Sequence, residues 1–164
     1  MGICASELKN CVIKPTLEYF GVWNEAHETL LIATAATESD LGYHLRCNSD
    51  QGYGLFNITE QEHNNIWDNY LAQTPDLASK VRGLAGQRSF LEQPHLELST
   101  NLAYSTAIAW FMYESSGISV PAKNDVIRMA EYWCKYFHPS REFHDKVKFV
   151  HFLQAWLKQD SMAA

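Results

Sequence analysis

The stretch Leu31-Ile32-Ala33-Thr34-Ala35-Ala36-Thr37-Glu38-Ser39-Asp40-Leu41-Gly42 decides the fold class. Its apolar residues recur at helical spacing, Asn24 upstream has an N-cap side chain, and Gly42 takes the place just past a helix end that glycine favours. The predicted helix is built of small residues and carries one carboxylate near its end. Glu38 lies seven positions after Leu31 and three and four after Ala35 and Thr34, so it shares the face that packs inward. Lost hydration and the negative end of the helix dipole both favour the protonated form of a carboxyl placed there. A general acid needs that form to protonate a leaving oxygen. The alternative is a glutamate facing water at a helix end.

Outward from this helix, most segments repeat with helical spacing and little alternates with period two, so the chain reads as mainly α. Residues 4–21 predict one or two short helices, interrupted at Pro15 and ended near Gly21. From Tyr43 to Ile58 the pattern breaks: Asn48, Ser49, Asp50, Gly52 and Gly54 bring turn chemistry and predict a small hairpin or irregular lobe. Thr59-Glu60-Gln61-Glu62 has the form of a capping box and starts a helix to about Leu71; Thr74-Pro75 starts another. After Ser99 or Thr100, Leu102 to Tyr113 is apolar around nearly its whole circumference, which predicts a central buried helix. Asn124 opens a helix to about Phe137, Pro139 breaks it, and a last amphipathic helix carries Phe143, Val147, Val150, Leu153 and Leu157. The 164 residues hold no repeat or linker and match a single domain spanning 1–164.

Hydrophobic residues make up 46% and charged residues 20%, which provides a core and argues against disorder. The 13 Lys and Arg against 19 Asp and Glu leave a net charge of −6, the wrong sign for gripping nucleic acid through its phosphates. Cys4, Cys11, Cys47 and Cys134 lack the spacing of a zinc site and read as reduced, mostly buried thiols. The histidines form no HExxH pattern, so neither metal nor cofactor is expected. The sequence has no run of about 18 apolar residues, so no membrane span is predicted. It also lacks a secretory signal at its start, so synthesis in a cytoplasm is expected, as a monomer or small oligomer. Met1-Gly2-Ile3-Cys4-Ala5-Ser6 fits the loose myristoylation pattern, against which stands an ordinary helix start.

The segment Gly52-Tyr53-Gly54-Leu55-Phe56-Asn57-Ile58 combines glycines, which let a ligand approach the backbone, with the aromatic and amide groups that suit a sugar. A plain turn is the alternative. Together, Glu38-Ser39-Asp40-Leu41-Gly42 and Gly54-Leu55-Phe56-Asn57-Ile58 resemble two motifs of the lysozyme-like superfamily, in its goose-type lysozyme and soluble lytic transglycosylase branch. There a catalytic Glu is followed by Ser and then Gly, and a Gly-Leu-Met-Gln-Ile type loop comes later; here Phe56 replaces Met and Asn57 replaces Gln. Glu62 to Leu71 is further similar to small phage proteins of this kind, and the resemblance covers residues 24–138. The family's third motif is loosely echoed in residues 130–139. Tyr136, or on a stricter alignment Phe137, takes the place of the tyrosine that positions the acid. The alternative makes Tyr132, Trp133 and Tyr136 ordinary core and surface aromatics.

The resemblance implies a peptidoglycan-cleaving, lysozyme-like domain acting on the β-1,4 bond between N-acetylmuramic acid and N-acetylglucosamine of a glycan strand. Glu38 is the implied catalytic acid/base, Tyr136 the residue that orients it, and Ser39, Tyr53, Phe56, Asn57 and the backbone of Gly54 and Leu55 the substrate-binding positions. In a lytic transglycosylase one Glu serves as acid and then as base, drawing the proton from the muramic 6-hydroxyl to leave a 1,6-anhydro sugar. Hydrolysis instead uses a second carboxylate. Asp50 is the best placed for that, because Asp40 points to another helix face and Glu62 is occupied in the capping box. His44 and His63 are candidates for the cleft border, against plain surface histidines.

The lack of an export signal fits a phage enzyme released to the wall through a separately made membrane hole, or one carried in the particle. The acidic charge and the altered Phe56 and Asn57 favour a rival, a catalytically inactive lysozyme-like virion or binding protein. A third reading, a helical interaction protein built around 102–113, predicts no hollow near Glu38.

Overall fold

The computed structural model describes residues 2–48, 52–137 and 143–163 and is mainly α. The N-terminal segment departs from the predicted break at Pro15. Helix α1 (Ala5–Leu8) passes through a π-helical turn at Lys9–Ile13 directly into α2 (Lys14–Phe20). Pro15 falls directly after the π-helical turn, and the helix runs on through it. Gly21, at φ 72°, ends the run as predicted.

Helix α3 (Glu25–Ser39) is opened by Asn24, whose side chain accepts from the His27 N–H at 2.8 Å. Every residue from Glu28 to Ser39 is buried. Ala33, Ala35 and Ala36 expose almost nothing, and their small volume lets neighbouring helices approach closely. The chain then forms the predicted hairpin from β1 (Arg46–Asn48) and β2 (Gly52–Gly54), with Arg46 opposite Gly54.

Helix α4 (Glu60–Asn69) begins at a complete capping box. The Thr59 N–H donates to Glu62 Oε2 at 2.8 Å, and the Glu62 N–H donates to Thr59 Oγ1 at 3.2 Å. Helix α5 (Pro75–Leu84) follows, with proline in its first turn. Two short pieces unforeseen in the sequence, α6 (Gln87–Glu92) and α7 (Glu97–Thr100), flank a 3-10 turn at Pro94–Leu96.

Asn101, rather than Ser99 or Thr100, caps α8 (Leu102–Glu114), in which every residue from Tyr104 to Tyr113 is buried. Asp125, one residue after the predicted Asn124, caps α9 (Val126–Tyr136). The last helix is α10 (Phe143–Ala163), and Pro139 lies outside the described residues.

The molecule therefore has two central helices, α3 and α8, where the sequence singled out α8. Helix α3 packs against α8, α9 and α10, and the buried side chains form one cluster reaching from Leu8 to Trp156. The N-terminus is strapped across the end of α3: the Ile3 N–H donates to the Leu41 carbonyl at 2.7 Å. Gly2 sits so close that a Cβ there would lie 2.2 Å from the Asp40 carbonyl oxygen. Cys4, Cys11 and Cys134 are free thiols, but Cys4 and Cys11 are exposed on the outer side of the first helix, which corrects the expectation of buried cysteines. Among the described residues no helix is long and apolar enough to cross a membrane.

Candidate active site

Helix α3 ends earlier than Gly42 would have it. Asp40, Leu41 and Gly42 all take left-handed backbone angles (φ 53°, 55° and 81°), and the Asp40 and Leu41 amides close back onto the Ala36 and Ala35 carbonyls. Such a run of non-glycine residues needs local support, and Ser39 supplies it. Its hydroxyl bonds the Leu55 carbonyl at 2.6 Å and accepts from the Gly42 N–H at 2.8 Å. Ser39 is 1% exposed, so it ties the helix end to the 52–58 loop and presents nothing to a ligand. Its assignment as a substrate contact is corrected to a positioning role.

Glu38 stands one residue before this tie, buried but with 8% of its surface open. The Trp133 indole N–H donates to its Oε1 at 3.2 Å, and Asn57 Nδ2 approaches its Oε2 at 3.5 Å. Trp133 is fully buried and stacks on Phe149 with centroids 5.3 Å apart, so the donor is rigidly held. Asn57 reaches the acid because its backbone is left-handed (φ 52°), a conformation asparagine tolerates, at the close of a turn whose flanks are locked by reciprocal Tyr53–Ile58 backbone bonds. Tyr113 of α8 lies close by. Its phenol bonds Thr34 Oγ1 at 2.7 Å; burial first, and then the Glu38 charge, push its ionisation well above the ordinary range. Lys148 of α10 donates to the Thr37 carbonyl at 2.8 Å and so satisfies an orphan acceptor of the helix end beside the acid.

The predicted loop contacts divide. Leu55 and Phe56 are fully buried and their side chains belong to the core, which removes Phe56 as a side-chain contact to a sugar and leaves Leu55 only the backbone contact expected of it. Gly54 is glycine for a different reason from the one expected: a Cβ there would lie 1.8 Å from the Leu98 carbonyl oxygen, so it lets β2 press against α7. Tyr53 is half-buried and its hydroxyl donates to Glu60 at 2.6 Å. It lines a hollow of about 320 Å³ with Glu60, Glu92, Pro94 and His95.

Tyr136 lines a second hollow, of about 180 Å³, with Glu62, Asn65 and Phe137. Its ring leans on Tyr132 at 4.7 Å, while Phe137 is a core residue stacked on Tyr113. The orienting bond to Glu38 assigned to Tyr136 is made instead by Trp133. The signal for this was present in the helical spacing. Met129, Trp133 and Phe137 recur every fourth residue on the inward face of the segment, and Tyr136 falls to its side.

Asp50 lies outside the described residues. His44 is exposed. His63 is 1% exposed and wired into the interior, with Nε2 2.6 Å from Tyr104 Oη and Nδ1 2.9 Å from His95 Nδ1. Burial, with the neighbouring His95, pushes His63 down to about 3. Among the described residues no group of three or more His, Cys, Asp or Glu side chains is arranged to hold a metal ion.

No protein-family model, curated protein or solved structure matches the chain. What the geometry itself defines is a mainly α protein with the buried Glu38 carboxylate meeting, among the described residues, the Trp133 and Asn57 donors at the junction of a central helix and a glycine-bearing loop.

Proposed function

We propose that this protein is a lysozyme-like muramidase, and foremost a lytic transglycosylase, cleaving the β-1,4 bond between N-acetylmuramic acid and N-acetylglucosamine of peptidoglycan. The observation that carries this reading is the seating of Glu38, nearly dry and held by Trp133 and Asn57 beside the glycine loop. As acid, Glu38 gives its proton to the glycosidic oxygen while the bond to the muramic C1 breaks. As carboxylate, it then takes the proton of the 6-hydroxyl, whose oxygen closes on C1 to leave the 1,6-anhydro ring. The engagement of Glu62 in the capping box and of Glu60 with the Tyr53 hydroxyl supports a mechanism with one carboxylate. Action on a bacterial wall, after release from the host cell or from a phage particle, belongs to the same proposal.

The test is incubation of purified protein with peptidoglycan and mass spectrometry of the soluble fragments. Anhydro-muropeptides are the expected product, and ordinary reducing ends would assign hydrolysis instead. Glu38→Gln should abolish release while changing stability by no more than about 1 kcal/mol, as for a group kept for chemistry and not packing.

One observation favours the second reading, an inactive lysozyme-like virion or binding protein. With Leu55 and Phe56 fully buried, the loop offers a sugar little side-chain surface. Absence of any fragment release by the wild-type protein would establish that reading over the first.

A further inference from the structure

A hollow of about 700 Å³ opens between α5 and α6, lined by residues that include Trp67, Ala78, Ser79, Arg82, Gln87 and Leu91. Among the described residues no acidic side chain lines it. Arg88 and Arg128 pair with Glu92 and Asp125, but among the described residues no carboxylate comes within ion-pair distance of Arg82. Its guanidinium lies 4.3 Å from the centre of the Phe90 ring, and one long bond of 3.5 Å runs from Nη2 to the Gln87 carbonyl. The stack holds the planar fork in place and leaves most of its donors unused, the state in which a guanidinium takes a carboxylate by two parallel bonds. An uncompensated cation in a chain of net charge −6 is a local reversal of sign.

The rest of the lining is apolar or neutral. The Trp67 N–H is taken up by Tyr104 Oη at 2.9 Å, so the indole offers the hollow only its apolar surface. Helix α6 buries none of its residues fully, and Leu91 is 78% exposed. Ser79 and Gln87 are exposed on the rim, with polar side chains suited to amide groups. An isolated arginine among apolar groups suits a carboxylate better than a phosphate, which draws several cations together. The open, hydrogen-bonding rim suits an extended peptide better than an aliphatic chain.

We infer that the α5–α6 groove is a docking site for a short peptide with a free carboxylate, anchored by Arg82 and covered on its apolar side by Trp67 and Leu91. The inference is independent of the chemistry at Glu38. It is tested by amide NMR titration of the whole protein with acetyl-Leu-Ala bearing a free C-terminal carboxylate, and with the same peptide as its C-terminal amide. Shifts should centre on Ser79, Gly83, Gln87 and Leu91, and the amide should bind at least about tenfold more weakly. Arg82→Gln should lose the same factor, Arg82→Lys should recover part of it, and Leu91→Ser should weaken both peptides alike. Glu38→Gln should bind as the wild type does. Equal affinity for the two peptides, unchanged binding by a folded Arg82→Gln protein, shifts centred elsewhere, or acetate binding as tightly as the peptide would overturn the inference.

Discussion

The indole N–H of Trp133 donates to Glu38 Oε1 at 3.2 Å, joining α9 to the end of α3 across 95 residues of sequence. The bond orients one carboxyl oxygen, while the other faces Asn57. Trp133→Phe keeps an aromatic ring for the Phe149 stack and removes only the donor. Loss of one partner of a buried hydrogen bond costs about 1 to 3 kcal/mol. On the proposed mechanism the rate of peptidoglycan solubilisation should fall by roughly tenfold or more. Initial rates measured beside urea denaturation separate the two effects; an unchanged rate would deny Trp133 its orienting role.

Ser39 should matter for the same site without touching a ligand. Ser39→Ala removes the tie to the Leu55 carbonyl and the acceptor for the Gly42 amide. The expected cost is about 1 to 3 kcal/mol for buried partners left unsatisfied. Amide exchange should accelerate at Gly42 in particular, which hydrogen-exchange mass spectrometry or NMR reads directly.

Gly54→Ala tests the packing reason for the loop glycine. A methyl group 1.8 Å from the Leu98 oxygen, on a backbone at φ 69°, forces β2 away from α7. Destabilisation of more than about 3 kcal/mol is expected, in the range reserved for overpacking joined to backbone strain. Chemical denaturation measures it; a loss below about 1 kcal/mol would mean that the strand and helix separate easily.

The buried histidine predicts a pH dependence of stability. Tyr104 Oη accepts from Trp67 and lies 2.6 Å from His63 Nε2, while His63 Nδ1 lies 2.9 Å from His95 Nδ1. With His63 held down to about 3 against the ordinary 6.5, the unfolded chain binds a proton between those values that the folded protein refuses. Stability should therefore drop as pH falls through that window, on the order of 1 kcal/mol per pH unit from this group. Urea midpoints from about pH 7 down to about pH 4 for wild type and His63→Gln should show the shallower slope in the variant.

Local signals in the sequence account for the helices and their starts. The Thr59–Glu62 capping box, the Pro75 first turn and the Asn24 cap act over three or four residues and appear as read. The Pro15 break failed because a π turn, invisible in residue pattern, absorbs the proline. Glycines in a loop suit the approach of a ligand, yet Gly54 faces the backbone of α7, an element no local signal announces.

By itself the sequence determined a mainly α chain, an inward-facing Glu38 at the end of a small-residue helix, and a glycine hairpin following it. These properties depend on spacing along one segment, where 3.6-residue periodicity and capping chemistry operate. Only the tertiary structure decided which side chains meet the acid, choosing Trp133 over Tyr136, burying Leu55 and Phe56, and leaving Arg82 stacked on Phe90 with no ion-pair partner among the described residues. Those outcomes turn on how far α9 rotates about its axis and how closely α7 approaches β2. Long-range packing sets such rotations and distances, and no local stretch of residues encodes them.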